Sequence, residues 1–240
     1  AVFWSGFFYF KRSMNAETFN ILAEDYTAIP VYRRMLADTL TPVSLFLSIR
    51  SNSSHPFLFE SVEGGEHLAR YSFLGCNPYQ TLTFDGESTW LDRKGRGPEK
   101  MEGSYFDTLE SLISAYTEPK IAHLPRLTGG AVGFSSYDTV REIEALPQSQ
   151  TAEEDLPEAI WSFYDEIYAF DHVRQQIVLI KTIFPEEHAT LQDAYREAMD
   201  SLDRMESKAK IQPSESGGFH LDSNALASNM EKSYFHNIVE

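Results

Sequence analysis

The feature that most constrains the fold is a series of short runs rich in β-branched and aromatic residues. Gly, Asn, Pro and Asp separate the runs, a pattern typical of strands joined by turns. The chain shows no regular alternation of strands and helices, so a parallel α/β architecture is not expected. The runs that we predict as strands are 42–49, 57–62, 70–75, 80–84, 88–92, 160–170 and 176–184.

Turn and helix signals complete this outline. Asp85-Gly86 and the DHVRQ segment that begins at Asp171 each predict a hairpin, and the IVLI run that follows is expected to be buried on both faces of its sheet. Apolar spacing predicts helices at 29–40, 104–116 and 186–210. We therefore predict an α+β fold of mostly antiparallel, sandwich-like β-sheets with flanking helices.

Composition excludes several classes of protein. Hydrophobic residues make up 42% and aromatic residues 13% of the 240 residues, which indicates a sizeable core rather than a disordered chain. The net charge of −16 argues against nucleic acid or an anionic membrane as a partner. Cys76 is the only cysteine, which excludes a disulfide framework and a cysteine zinc site. We expect a cytoplasmic protein with no metal bound by this chain.

The two ends of the chain differ in composition from its middle. Residues 1–13 are aromatic but lack the basic region and cleavage site of a signal peptide, and we interpret them as an upstream or non-native extension. Residues 14–210 are predicted to form one domain. Pro, Ser and Gly mark 211–227 as a linker. A capping-box pattern, Ser228 with Glu231, predicts that 228–240 begin a second domain.

Two motifs suggest chemistry but have simpler explanations. Gly129-Gly130-Ala131-Val132-Gly133 lacks both the Lys-Ser/Thr of a P-loop and the GxGxxG spacing, so a strand whose glycines allow close backbone packing is favoured over a nucleotide loop. The acidic and basic residues at 137–144 would suit acid–base catalysis. An acidic turn in which Arg141 pairs locally explains them better.

A third motif is more suggestive, because an apolar strand delivers Glu60 and Ser61 together just before a Gly-Gly turn, and Arg70 follows. A free amino acid needs an acceptor for its ammonium group, donors for its carboxylate and an apolar slot for its side chain. Glu60, Ser61 and Arg70 among Phe and Tyr residues offer all three. The alternative is a strand end with a surface salt bridge.

Three segments together resemble the N-terminal region of anthranilate synthase component I, a chorismate-utilising enzyme. In chain order they are FLFESVEGGEHLARYSFLGCNP (57–78), LTGGAVGFSSYDTVREIEALP (127–147) and DLPEAIWSFYDEIYAFDHVRQQIVLI (155–180). The resemblance extends from about Tyr26 to Glu240. Residues 228–240 are similar to the first residues of the chorismate-binding catalytic domain of that family, so we expect the catalytic domain to be truncated here.

The resemblance implies an enzyme subunit that converts chorismate to anthranilate and pyruvate. Ammonia would come from a glutamine amidotransferase subunit, component II, and Mg2+ would act at the active site. The catalytic and Mg2+-binding residues of the family lie in its C-terminal domain, so none is expected in this chain, which should be inactive alone.

The resemblance also implies an inhibitory site for L-tryptophan. Its leucine-leucine-glutamate-serine signature appears here as Leu58-Phe59-Glu60-Ser61, and Arg70 is the nearest equivalent of a basic residue that lines the pocket in some members. Phe59 replaces the second leucine, and Phe134 replaces a tyrosine of the GGxVGY pattern. Both replacements keep apolar bulk and leave the predicted fold unchanged.

Two other functions remain open. Aminodeoxychorismate synthase component I, of the folate pathway, shares the architecture, although the GGEHLARYSFLG stretch favours anthranilate synthase. A free-standing, non-catalytic amino-acid sensor would retain the effector site alone. The length of the open reading frame distinguishes the sensor from the enzyme.

Overall fold

The computed structural model describes residues 13–37, 39–51, 53–60, 70–144 and 156–211. These residues form ten strands in two antiparallel, five-stranded sheets, together with four α-helices. The predicted α+β class, with antiparallel sheets and flanking helices, is confirmed. The helices are α1 (Ala16–Leu22), α2 (Pro42–Arg50), α3 (Tyr105–Ser114) and α4 (Leu191–Ala209).

The two sheets are built from strands that are distant in sequence. In spatial order, the first sheet consists of β1 (Ile29–Leu36), β10 (Gln176–Ile183), β9 (Glu166–Asp171), β3 (Tyr71–Gly75) and β2 (Phe57–Phe59). The second sheet consists of β6 (Gly97–Lys100), β5 (Thr89–Arg93), β4 (Gln80–Phe84), β8 (Ala159–Tyr164) and β7 (Gly130–Ser135).

Asp165 is the point at which the chain passes from one sheet to the other. It is the single residue between β8 and β9, so the prediction of one continuous strand at 160–170 was wrong. The Asp165 carbonyl accepts a hydrogen bond from the Thr182 N–H at 2.7 Å, and its carboxylate pairs with Lys181 Nζ at 2.5 Å. These bonds to β10 hold the bend.

Two neighbouring predictions, a helix at 29–40 and a strand at 42–49, were wrong in opposite senses. Residues 29–36 form β1, which pairs with β10 over its whole length, from Ile29 opposite Ile183 to Leu36 opposite Gln176. Residues 42–50 form α2 because Thr41 and Ser44 each accept the other's backbone N–H in a capping box and Pro42 occupies the first helical turn.

The remaining local predictions agree with the structure more closely. Both hairpins, the α3 helix and the doubly buried IVLI run are confirmed. The last helix begins at Leu191, after its N-cap Thr190, rather than at 186. The strand predicted at 57–62 is described only as far as Phe59, followed by Glu60. Helix α1 and strand β6 were not predicted.

Each sheet has its own hydrophobic cluster. The larger cluster joins the first sheet to α1, α2 and α4, and the smaller one joins β4, β5 and β8 to α3. Gly133 of β7 shows the close packing predicted for this motif, because a Cβ there would lie 1.9 Å from the Ile160 carbonyl oxygen. Of the chain ends, residues 1–12 and 212–240 lie outside the described residues, and the domain boundaries remain predictions.

Candidate functional site

The candidate site lies at one end of the β2–β3 pair in the first sheet. These strands are antiparallel, with Phe57 opposite Gly75 and Phe59 opposite Phe73. The chain leaves β2 at Glu60 and enters β3 from Arg70, so these two residues share one end of the pair. Glu60 is exposed. Ser61, the third predicted site residue, lies outside the described residues.

The Arg70 guanidinium is held by a carboxylate that the sequence did not reveal. Arg70 Nε donates to Asp171 Oδ1 at 3.2 Å, and Arg70 Nη2 donates to Asp171 Oδ2 at 2.6 Å. The Asp171 side chain is 4% exposed and the Arg70 side chain 34%. The guanidinium carbon also lies 4.9 Å from the centre of the Tyr71 ring. This two-bond fork fixes the direction of the guanidinium plane.

Asp171 organises the β9–β10 turn as well as Arg70. Its Oδ1 accepts the backbone N–H groups of Val173 at 3.2 Å and Arg174 at 3.1 Å. Burial acts to raise the pKa of the Asp171 carboxyl, but the hydrogen bonds from Arg70 and the Arg174 N–H outweigh it and hold the pKa below its ordinary value. The carboxylate is therefore ionised at neutral pH.

His172 fastens the start of β3 to the same turn. Its backbone N–H donates to the Arg70 carbonyl at 3.0 Å, and its Nε2 lies 2.8 Å from Ser72 Oγ. A hydroxyl beside an imidazole resembles a catalytic pair. Ser72 is only 1% exposed, however, so no substrate reaches its hydroxyl. The pair is structural.

The groups at this strand end suit binding of a small zwitterion. Two of the three Arg70 guanidinium nitrogens bond Asp171, while Nη1 makes no hydrogen bond to a described residue. Glu60 offers an exposed carboxylate. Phe59 is 51% exposed, and its ring centre lies 5.2 Å from that of Phe57, so an aromatic surface is present. A donor, an acceptor and an apolar surface therefore occur at one edge of the sheet.

The simpler interpretations of the glycine motif at 129–133 and of the charged segment at 137–144 are both confirmed. Residues 130–135 form β7, so the glycines continue into a strand and not into the α-helix that a nucleotide loop would require. Residues 137–142 form a short 3-10 helix in which Arg141 Nε donates to Asp138 Oδ1 at 3.0 Å. Arg141 therefore pairs locally, as predicted.

The part of the chain that the structure describes shows neither a metal-binding cluster nor a membrane-spanning helix. Within it, no group of three or more His, Cys, Asp or Glu residues is arranged to hold a metal ion. None of the helices described there combines the length and apolar character needed to cross a bilayer.

Known proteins resemble this chain over most of its length. Anthranilate synthase component 1 of Acetivibrio thermocellus is 35% identical over 182 residues, 76% of this chain and 36% of the relative. The corresponding protein of Synechocystis sp. is 34% identical over 189 residues, 78% of this chain and 37% of the relative. The chain therefore spans about a third of the length of these curated relatives.

A solved structure gives a weaker match. The crystal structure of anthranilate synthase component I from Streptococcus pneumoniae aligns with a TM-score of 0.46 and 22% identity, covering 74% of this chain and 36% of that one.

The family assignment rests on residues 54–239, which match the chorismate binding enzyme family. This match includes residues on both sides of the predicted linker at 211–227. The predicted resemblance to anthranilate synthase component I is confirmed by the sequence relatives. With more than half of its residues matched, the chain belongs to the chorismate binding enzyme family.

Proposed function

We propose that this chain is the regulatory, tryptophan-binding part of an anthranilate synthase component I. The intact enzyme would convert chorismate and glutamine-derived ammonia to anthranilate and pyruvate in the cytoplasm, as part of tryptophan biosynthesis. The sequence relatives support the enzyme. The observation that carries the regulatory role is that Glu60 and Arg70 share one end of the β2–β3 pair.

The proposed binding mode uses the groups already described. Glu60 would accept hydrogen bonds from the ammonium group of tryptophan, Arg70 Nη1 would donate to its carboxylate, and the indole would lie against Phe59. Ser61 would add a hydroxyl bond. Because Asp171 already holds the Arg70 side chain, binding would cost little of the rotamer freedom that a loose arginine loses.

The ion pair between Arg70 and Asp171 connects the proposed ligand site to the first sheet. Asp171 is the last residue of β9 and accepts two N–H groups of the β9–β10 turn, so any shift of Arg70 on binding would reach the central strands of the first sheet. Feedback requires tryptophan to bind one conformation better than the other. We propose that the contact between Arg70 and Asp171 is the one that differs between the two conformations.

The remaining parts of the reaction are assigned outside this chain. We propose that component II, a glutamine amidotransferase, supplies ammonia, and that Mg2+ and the catalytic groups belong to the part of the enzyme that follows.

Expression of the complete reading frame tests the enzymatic proposal. With chorismate, Mg2+ and ammonia, its product should form anthranilate, detected by fluorescence, together with pyruvate, and the 240-residue chain alone should form neither. Aminodeoxychorismate without pyruvate would favour the folate enzyme. A stop codon directly after Glu240, with tryptophan bound, would favour the sensor.

The regulatory proposal is tested by Ser61→Ala and Glu60→Gln in the complete enzyme. Each should raise the tryptophan concentration for half-inhibition about five- to a hundredfold, since losing one hydrogen-bond partner that bound tryptophan covers from water costs about 1–3 kcal/mol. Turnover without tryptophan should be nearly unchanged, and Glu102→Gln, an exposed control, should change neither. Unaltered inhibition would show that this strand end is structural, whereas lost turnover would assign it to catalysis.

A further inference from the structure

A polar cavity that neither Glu60 nor Arg70 lines lies where the two sheets meet. Its volume is about 360 Å3, and its walls come from the β5–β6 turn, the bend at Asp165, β10 and α4. We call it the junction pocket. Its charged walls include Lys94, Asp165, Glu166, Lys181, Arg204 and Lys208.

The acidic groups of the junction pocket already have partners. Asp165 Oδ2 lies 2.5 Å from Lys181 Nζ, and both side chains are largely buried. Glu166 Oε1 accepts a hydrogen bond from Ser201 Oγ at 2.5 Å. A third wall carboxylate, Glu197, lies 3.7 Å from His188 Nδ1. Each carboxylate therefore has a partner in the fold, and the partner of Asp165 is a lysine whereas that of Glu166 is an uncharged hydroxyl.

Three cationic side chains of the junction pocket differ from its carboxylates in their hydrogen bonding. Lys94, Arg204 and Lys208 make no ion pair or side-chain hydrogen bond with a described residue. Arg204 and Lys208 are four residues apart and so share one face of α4. Lys94 approaches from the second sheet, where its backbone N–H donates to the Tyr79 carbonyl at 3.0 Å and fixes the turn.

This convergence is notable in a chain with a net charge of −16. Of the seven charged residues of the pocket wall, Asp165 and Lys181 pair with each other, and Lys94, Arg204 and Lys208 outnumber Glu166 and Glu197 by one positive charge. We propose that the junction pocket binds a compact, doubly charged oxyanion of the size of inorganic phosphate or a four-carbon dicarboxylate. The Arg204 guanidinium can donate two parallel N–H bonds to such an anion, and the two ammonium groups can neutralise its charge. The acidic surface elsewhere disfavours a long polyanion.

A bound oxyanion would join α4 to the second sheet, because its ligands come from both. The 240-residue chain should therefore become more stable to thermal unfolding as phosphate or succinate is added, beyond the effect of sodium chloride at equal ionic strength. Isothermal titration should give saturable binding of one anion per chain. A response to phosphate alone would identify an inorganic or phosphoryl ligand, and a response to succinate alone would identify a carboxylic acid.

Two variants and a matched control make the test specific. Lys94→Gln and Arg204→Gln lie on different elements, and each should weaken binding about tenfold or more, because each removes one charge-assisted contact. Arg196→Gln, an exposed arginine of α4 that does not line the pocket, should leave the affinity unchanged. Circular dichroism establishes that each variant is folded. No binding of either anion, or equal binding by all three variants, would overturn the proposal, whatever the outcome at Glu60 and Ser61.

Discussion

The two sheets have the same number of strands but differ in how deeply they are buried. Among the described residues, 26 buried residues form the cluster of the first sheet, against six in the cluster of the second. The interior strand β10 is buried on both faces, whereas Phe134 and Gly133 of the edge strand β7 are exposed. Three helices cover the first sheet and one contacts the second. Most of the burial free energy therefore lies in the sheet that carries the candidate site.

This difference indicates that the two sheets have different local stabilities. Segments with few buried apolar contacts open at lower free energy than the global core. The candidate site lies on the more deeply buried sheet, next to the β9–β10 hairpin. The second sheet is the region that we expect to unfold first.

The largest effect is expected from a truncation in the centre of the first sheet. Leu179 of β10 is fully buried, so Leu179→Ala should lower the free energy of unfolding by about 2–5 kcal/mol through lost burial and a residual cavity. Urea unfolding followed by circular dichroism measures this. Leu36→Ala, in the same sheet but 67% exposed, is the control and should change stability by no more than about 0.5 kcal/mol. Equal losses in both variants would contradict the burial difference between these positions.

A smaller effect, confined to the second sheet, is expected from Gly133→Ala. The added Cβ would meet the Ile160 carbonyl oxygen at 1.9 Å and Trp161 Cα at 2.7 Å, so β7 must move away from β8. Overpacking of this kind costs about 1–3 kcal/mol. Amide hydrogen exchange should accelerate in β7 and β8, while β10 keeps its protection. Equal acceleration in both sheets would show that they unfold as one unit.

The sequence predicted the elements whose signals are local. The Asp85-Gly86 turn and α3 were identified because turn chemistry and a 3.6-residue period are contained in a few residues. The exchange of strand and helix between 29–36 and 42–50 shows the limit of this approach. Both segments are apolar with mixed periodicity. Residues 29–36 form a strand because they pair with β10 along their whole length. The Thr41-Pro42-x-Ser44 capping pattern was a usable signal for the second.

The candidate site was predicted only in part, for a related reason. Family resemblance indicated Glu60, Ser61 and Arg70, but no local pattern indicated that Arg70 pairs with Asp171, 101 residues further along the chain. Their contact requires β3 and β9 to be neighbours, and this follows from the sheet order rather than from any local pattern. The bend at Asp165 depends in the same way on Lys181 of β10. Long-range pairing of charges is therefore the part that sequence reasoning missed.

The finest comparison between the sheets uses one hairpin aspartate from each. Asp171 ends β9 beside the β9–β10 turn and pairs with Arg70. Asp85 lies in the β4–β5 turn, where it accepts the N–H groups of Glu87 and Ser88. Asp171→Asn keeps an acceptor for the turn but removes the ion pair, so it should cost about 1–3 kcal/mol at pH 7. Asp85→Asn, at an exposed turn, should cost no more than about 0.5 kcal/mol.

The pH dependence separates the ion pair from a general effect of the substitution. Burial acts to raise the pKa of Asp171, but bonds from Arg70 and the Arg174 N–H hold it below 3.8, so the ionised carboxylate is favoured in the folded state. Its stabilising contribution is therefore present above pH 3.8 and is lost as the pH falls through the lower, folded-state value. The difference in unfolding free energy between the wild type and Asp171→Asn should shrink when urea unfolding is repeated at decreasing pH below 3.8. A difference that stays constant would show that the turn, and not the charge pair with Arg70, is what Asp171 stabilises.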